Sequence, residues 1–344
     1  MNLIKPKHLS KGDKVATVSP SWGGAGDKDL LWRYQLGKQR LEQQFGLQVV
    51  EMPNTLKGSK YIYEHPEKRA QDLMAAFEDS SIKAVFACIG GDESIRILPY
   101  IDFDIIRNNP KIFIGYSDST TTHLICHKAG ISSFYGLSVL AELAENVKIF
   151  DYTADWFEKV LFEPSVIGEI LAAPEWSGER IEWDIENTAK QKILQKNSSY
   201  EFLQGNTIAT GRLFGGCIEV LEMAKGTSLW PDAATFDNAI LFFETSEDMP
   251  PPTYIEYWLR NYGTQGILQK ASAIIFGKPY QEKFYGEYKI SIKKIIAEFG
   301  LFDLPIVYNM SFGHNQPMCV LPYGVMAQVD CLNKTFSILE SGVV

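Results

Sequence analysis

The first third of the chain alternates short apolar runs with amphipathic stretches, and this alternation limits the fold more than any other feature. Lys14–Val18 (KVATV), Leu47–Met52, Lys83–Ile89 (KAVFACI) and Lys111–Gly115 read as strands. A strand with one wet face alternates apolar and polar residues. Runs such as KAVFACI do not, so both of their faces are covered. Between them, Leu30–Phe45, Glu67–Glu78, Ser94–Tyr100 and Ser119–Lys128 read as helices. In the second of these, Ala70, Leu73, Met74 and Phe77 recur at helical spacing and share one face. The pattern predicts an α/β fold with a parallel sheet of flavodoxin or Rossmann type, covered by helices on both sides.

The texture changes near residue 150. Residues 174–199 are polar and charged, carry Trp176 and Trp183, and read as a linker or mobile loop. Beyond them, strands are expected near Thr207–Leu213, Ala239–Glu244, Ala271–Gly277, Ile306–Asn309 and Val325–Val329. Helices are expected at Gly216–Ala224, Pro252–Tyr262 and Ile290–Phe299. The division this suggests is an N-terminal α/β domain at 1–150, a linker and mobile loop at 151–205, and a C-terminal α+β domain at 206–344. A chain of 344 residues is long enough for two such cores.

Charge and cysteine usage narrow the function. A formal net charge of -9 argues against nucleic acid as a partner, because phosphate contact needs a basic surface. No run approaches the roughly 18 apolar residues of a membrane-spanning helix. MNLIKPKHLSKGDK offers no apolar stretch for a signal peptide ahead of the first strand. Cys88, Cys126, Cys217, Cys319 and Cys331 are odd in number, widely spaced and mostly set in apolar runs. Buried free thiols in a cytoplasmic protein are the expectation.

Ligands of parallel α/β sheets bind outside the carboxyl ends of the strands, and four turns there hold candidate chemistry. Ser117, in FIGYSDST, follows a strand and precedes a helix whose N-terminus favours developing negative charge. It suits a nucleophile, although a helix cap would have the same sequence. In CIGGDES, Gly90 and Gly91 let backbone N–H groups approach a ligand, as an oxyanion hole or phosphate nest requires; a tight turn is the bland alternative. The strand ending at Glu244, followed by Glu247 and Asp248, could orient a histidine or simply carry solvated acids.

Of the five histidines, His8 and His65 lie in polar stretches. His123 and His127 share a helix face in HLICH, but Leu124 stands where an H-E-x-x-H zinc site has its glutamate, so no metal is expected. His314 follows the strand-like IVYNM in a turn bounded by Gly313 and Pro317, and is the best candidate for a general base. Ser117, Glu244 and His314 together suit a Ser-Glu-His hydrolase.

These segments also resemble a known family. KGDKVATVSPS, IGGDESIRILPYIDF, IGYSDSTTTH, GRLFGGCIEVL, LFFETSED and FGHNQPMCVLPYG are similar, in order, to the motifs of the LD-carboxypeptidase family of serine peptidases, and within it to the microcin C immunity branch. The resemblance implies Ser117 as nucleophile, Glu244 as triad acid and His314 as base, with the backbone N–H groups of Gly91 and Asp118 as the oxyanion hole. It further implies a C-terminal domain built on a barrel-like sheet, a homodimer, and no cofactor or metal.

Muropeptide enzymes of the family typically carry Arg-Gly-Gly-Tyr-Gly where this chain has Ile89-Gly90-Gly91-Asp92-Glu93. They also tend to have an Asp-Arg pair where it has Tyr254-Ile255-Glu256-Tyr257-Trp258. The forms present here look like the immunity branch, which hydrolyses the bond between an acidic aminoacyl group and a nucleotide. The substrate the resemblance implies is an acidic aminoacyl- or peptide-nucleotide, with a muropeptide as the alternative. Gly90, Asp92 and either Trp183 or Trp176 are the expected contacts, the tryptophan stacking on the base. A small-molecule-binding protein that kept the fold without the chemistry is the reading from another class. A binder has no need for all three triad residues. A Rossmann-type nucleotide enzyme is weaker, because SPSWGGAGDKD does not read as G-x-G-x-x-G.

Overall fold

The protein is described from a computed structural model that covers residues 2–344. In the first half, β1 (Lys14–Val18), β2 (Gln48–Glu51), β3 (Ile82–Ala87), β4 (Ile112–Gly115) and β5 (Phe134–Tyr135) form a parallel sheet in the order β5-β4-β3-β1-β2. Burial explains the sequence of each strand. Every residue of the central β4 is buried, whereas edge strand β2 keeps Gln48 and Glu51 exposed.

The covering helices are α1 (Leu31–Gln43), α2 (Ser59–Glu64), α3 (Pro66–Glu78), α4 (Phe103–Asn108) and α5 (Thr120–Ala129). Pro66 opens α3, where a missing N–H breaks no helical bond, and Ala70, Leu73, Ala76 and Phe77 face the core. Ser94–Tyr100 forms a 3-10 helix instead of the α-helix expected from its pattern. Pro99 lies inside it and has no N–H to give to an α-helical ladder.

The 151–205 segment carries more regular structure than a linker. It contains α6 (Asp151–Leu161), which buries Phe157, Val160 and Leu161, then β6 (Gly168–Glu169), and then a small antiparallel pair, β7 (Glu175–Trp176) with β8 (Gln195–Lys196). β9 (Glu201–Gln204) ends the segment, and after it come β10 (Ile208–Cys217), α7 (Ile218–Ala224), β11 (Ile240–Glu244), α8 (Pro252–Thr264), α9 (Ile267–Lys270), β12 (Ala273–Gly277), α10 (Tyr285–Glu298), β13 (Ile306–Met310), β14 (Leu321–Pro322), β15 (Met326–Asp330) and β16 (Thr335–Ile338).

The second sheet has the order β6-β16-β15-β10-β11-β12-β13-β9, with β10 to β13 parallel and the flanks antiparallel. β10 changes partner along its length, pairing β15 over 208–212 and β11 over 213–217. The strand therefore runs through Gly215 and Gly216, and the helix expected from Gly216 starts at Ile218. Two glycines are poor helix formers, and the sheet claims them.

β14 returns the chain to the first sheet by pairing with β5. One apolar core consequently spans both halves. The turns after β1, β3 and β4 in the first sheet and after β11 and β13 in the second line one shared cavity. Among the described residues, no helix is long and apolar enough to cross a membrane.

Candidate active site

Ser117, His314 and Glu244 meet at this cavity although they lie far apart in sequence. His314 Nε2 is 3.0 Å from Ser117 Oγ, and His314 Nδ1 is 2.6 Å from Glu244 Oε2. Ser117 adopts φ 60°, a left-handed conformation that few non-glycine residues hold, at the tight turn between β4 and α5. Its N–H donates to the hydroxyl of Tyr135 at 3.1 Å, and that hydroxyl donates to Glu244 Oε1 at 2.5 Å. Tyr135 thus ties the Ser117 turn to the Glu244 carboxylate. Gly313 holds φ 102°, and a Cβ there would stand 2.8 Å from Glu244 Oε2. Only glycine lets the His314 turn close on the acid.

Asp118 contributes more than its backbone. Its carboxylate is buried and accepts hydrogen bonds from the Ser21 hydroxyl, from Glu93 N at 3.0 Å and from Ser94 N at 2.8 Å. Ser94 Oγ returns a bond to the Asp118 carbonyl at 2.8 Å. This network clamps the Gly90–Ser94 turn against the Ser117 turn. The N–H groups of Gly91 and Asp118 give no hydrogen bond to another described residue, so both are available to an oxyanion. A Cβ on Gly90 would meet Ser117 Cβ at 2.9 Å, which accounts for a glycine beside the hydroxyl.

The cavity has a volume of about 240 Å³. Gly90, Gly91, Ser117 and His314 line it, and so do Trp183, Arg180 and Lys192 from the 174–199 stretch. Of the two loop tryptophans, Trp183 is on the wall. Trp176 is not: it is buried, with Lys278 Nζ 4.2 Å from its ring centroid, and serves to pack the loop. Asp92 is exposed and lies outside the lining, so its expected substrate contact is not formed by the cavity wall. Arg33, almost fully buried in α1, stacks its guanidinium 4.5 Å from the Trp183 ring centroid. Its Nε donates to the Leu140 carbonyl at 2.6 Å.

Electrostatics around the imidazole are unusual. Burial alone would pull the pKa of His314 down, but the nearby Glu244 charge and hydrogen bond, reinforced by Glu247, raise it well above 6.5. Glu247 Oε2 lies 2.9 Å from Nε2, the same nitrogen that faces Ser117. The hydrogen bond to His314 holds the Glu247 carboxyl down at about 2. Tyr116 packs edge-on to the imidazole, with ring centroids 5.1 Å apart, and donates to Glu142 Oε1 at 3.1 Å.

His123 and His127 point away from this chemistry. His123 is fully buried between Ser133 Oγ and the Gly115 carbonyl, each 2.9 Å away, where it fixes α5 to β4. His127 is buried beside Phe214. Cys88, Cys126, Cys217 and Cys319 are buried free thiols, and Cys331 is half-buried. A serine hydroxyl, imidazole and carboxylate in series, with two free N–H groups beside the hydroxyl, can carry out acyl transfer.

Comparison with known proteins gives the same direction. Residues 15–136 match the LD-carboxypeptidase N-terminal domain, and residues 210–329 match the LD-carboxypeptidase C-terminal domain. The microcin C7 self-immunity protein MccF of Escherichia coli is 30% identical over 300 residues, covering 87% of this chain and 86% of that protein. Two solved structures are similar over almost the whole length. An MccF-like protein from Streptococcus pneumoniae in complex with AMP has a TM-score of 0.88 at 33% identity, covering 95% of this chain and 98% of its own. MccF in complex with aspartyl sulfamoyl adenosine has a TM-score of 0.86 at 27% identity, covering 99% and 100%. The family names point to a hydrolase. This chain belongs to the LD-carboxypeptidase family.

Proposed function

We propose that the protein is a serine hydrolase that cleaves an amide-type bond between an aminoacyl group and a nucleotide. One observation carries the reading: Ser117, His314 and Glu244 stand in hydrogen-bonded series at the mouth of a cavity whose wall includes Trp183. His314 takes the proton of Ser117, and Glu244 holds the imidazole in the required tautomer. Ser117 Oγ then attacks the carbonyl, the N–H groups of Gly91 and Asp118 stabilise the oxyanion by ~3 kcal/mol each, and the leaving group departs with the His314 proton. Water later releases the acyl group by the same route in reverse. The stacking of Arg33 on one face of Trp183 leaves the indole held for a nucleobase. An acidic acyl side chain would meet Arg180 on the wall. The structures of relatives with AMP and with aspartyl sulfamoyl adenosine support this choice over a muropeptide.

The test is a paired assay of the purified protein on aspartyl sulfamoyl adenosine and on an LD-linked tetrapeptide. Cleavage of the nucleoside compound is expected, and Ser117→Ala should abolish it while the protein still folds and binds ligand. Cleavage of the tetrapeptide alone would move the assignment to the muropeptide branch. Undiminished turnover by Ser117→Ala would remove the triad altogether.

A further inference from the structure

Lys192 differs from the other cations of the 174–199 stretch. Lys190 and Lys196 are exposed, and Arg180 pairs with Glu182 in solvent. Lys192 is turned inward, with its side chain 16% exposed, and it lines the catalytic cavity. Its Nζ forms an ion pair at 2.9 Å with Oε2 of Glu145, whose side chain is only 3% exposed. That oxygen receives no hydrogen bond, and among the described residues no other cation is in ion-pair contact with the Glu145 carboxylate. Arg33, the neighbouring buried cation, gives its hydrogens to the Leu140 carbonyl and to Asn146 Oδ1. A buried carboxylate of the N-terminal half therefore depends on a lysine that the loop supplies.

The same ammonium donates at 2.6 Å to Oε1 of Gln316, which follows shortly after His314. A lysine only donates, so it fixes which end of that amide faces it. The Nε2 end is then turned to Glu142 Oε1, 3.2 Å away. Tyr116, the residue before Ser117, donates its hydroxyl to that same oxygen at 3.1 Å, and its ring packs edge-on to the His314 imidazole. Glu142 is itself held by Ser138 N at 2.9 Å. One carboxylate oxygen thus joins the turn of the base to the turn of the nucleophile, and Lys192 orients the amide that makes the join.

The start of the loop is pinned to the same glutamine through its backbone. Ser177 N donates to the Gln316 carbonyl at 2.7 Å, and Gln316 N returns a bond to the Ser177 carbonyl at 3.0 Å. Trp183 lies between Ser177 and Lys192 in the chain and packs against Arg33. The segment that presents the indole to the cavity is therefore attached to the His314 turn on both sides.

We infer that Lys192 is a positioning residue: by pairing with Glu145 and orienting Gln316, it makes the alignment of His314 with Ser117 depend on the docked position of the Trp183 loop. The inference rests on the serine-hydrolase reading above and deepens it. The loop acts on turnover as well as on binding, and its effect on turnover extends to acyl substrates that have no nucleobase to stack.

Two substrates separate these effects: aspartyl sulfamoyl adenosine, and the α-p-nitrophenyl ester of aspartate, which carries no base. With kcat taken per folded protein, Lys192→Met should lower kcat for the ester by ~10-fold or more and leave its KM nearly unchanged, while KM for the nucleoside compound rises. Because Lys192→Met strands a buried carboxylate, it is also combined with Glu145→Gln. That double variant should melt like the parent and keep the ester defect, which a simple folding fault does not produce. Gln316→Met removes the join from the other side and should reproduce the loss. Adding Lys192→Met to it should deepen the loss by less than ~3-fold, as for residues acting in series. Lys190→Met, on the exposed side of the same stretch, should match the parent on both substrates. An ester kcat within ~2-fold of the parent in Lys192→Met with Glu145→Gln would overturn the inference, and so would additive losses from Lys192→Met and Gln316→Met. An inert nucleoside compound beside a cleaved ester would discard the nucleotide reading, and the ester kcat would still decide the role of Lys192. No cleavage of either substrate by the parent would overturn both.

Discussion

At the scale of single residues, the candidate centre depends on groups that never touch a substrate. Tyr135 is the clearest, since its buried hydroxyl receives the Ser117 N–H and gives its own proton to Glu244. Tyr135→Phe leaves a buried N–H and a carboxylate oxygen each short of a partner. It should cost ~1–3 kcal/mol of stability by urea unfolding. It should also lower kcat by ~10-fold or more as the elbow and the acid lose their common tether, with KM little changed. Glu244→Gln tests the acid directly, and a loss of ~10⁴-fold in kcat with intact folding is expected from the wrong imidazole tautomer. Ser117, Glu244 and His314 were legible in the sequence because each ends or follows an apolar strand. Tyr135 was not, because its strand is two residues long and its carboxylate partner lies 109 positions away. Asp118 was legible only as an N–H donor. Its carboxylate works through Ser21, Glu93 and Ser94, which no local pattern joins to it.

At the scale of elements, the 174–199 stretch joins the cavity wall to the rest of the fold. Its polarity read as a loop, and the structure divides the work between its two tryptophans. Trp176 ends β7 and is buried under Lys278, whereas Trp183 is half-buried on the cavity wall against Arg33. Composition could not separate them, because the difference lies in partners from α1 and from the turn after β12. Stacking of a base on an aromatic ring contributes ~1–3 kcal/mol, so Trp183→Ala should raise KM for a nucleoside substrate by ~10- to 100-fold. Turnover of a small p-nitrophenyl ester should change far less. Trp176→Ala should do the reverse, lowering the thermal midpoint with little effect on the KM of the folded fraction. Steady-state kinetics and a melting curve on the two variants decide between these roles. An equal KM effect from both would mean that the loop acts as a unit and that neither ring is the platform.

At the scale of the whole molecule, the centre exists only where two sheets meet, Ser117 coming from the first and Glu244 with His314 from the second. The parallel first sheet was readable from its apolar strands. The return of β14 to β5 was not, because a two-residue strand has no periodicity to read. His123 sits at this seam, stacked 4.8 Å from the ring of Tyr323, which follows β14. It is fully buried, and burial lowers its pKa to about 3. The unfolded chain therefore binds a proton at this residue between about pH 6.5 and 3 while the folded chain does not, so stability falls as pH falls through that window. The slope from His123 alone is about 1.4 kcal/mol per pH unit. His127, lowered to about 4 by burial, acts in the same direction. Asp72, Glu219 and Glu222 have carboxyls raised by burial and oppose it, because they bind protons earlier in the folded state. The measurement is therefore a difference between proteins. His123→Gln should be less stable than the parent at pH 8, where it loses two buried hydrogen bonds, and should approach the parent in stability as the pH is lowered from 6.5 to 5. Urea unfolding at pH 8, 6.5, 6 and 5 measures that convergence. Parallel stability curves for the two proteins would mean that His123 takes up its proton equally in both states, and the buried neutral imidazole at the seam would have to be given up.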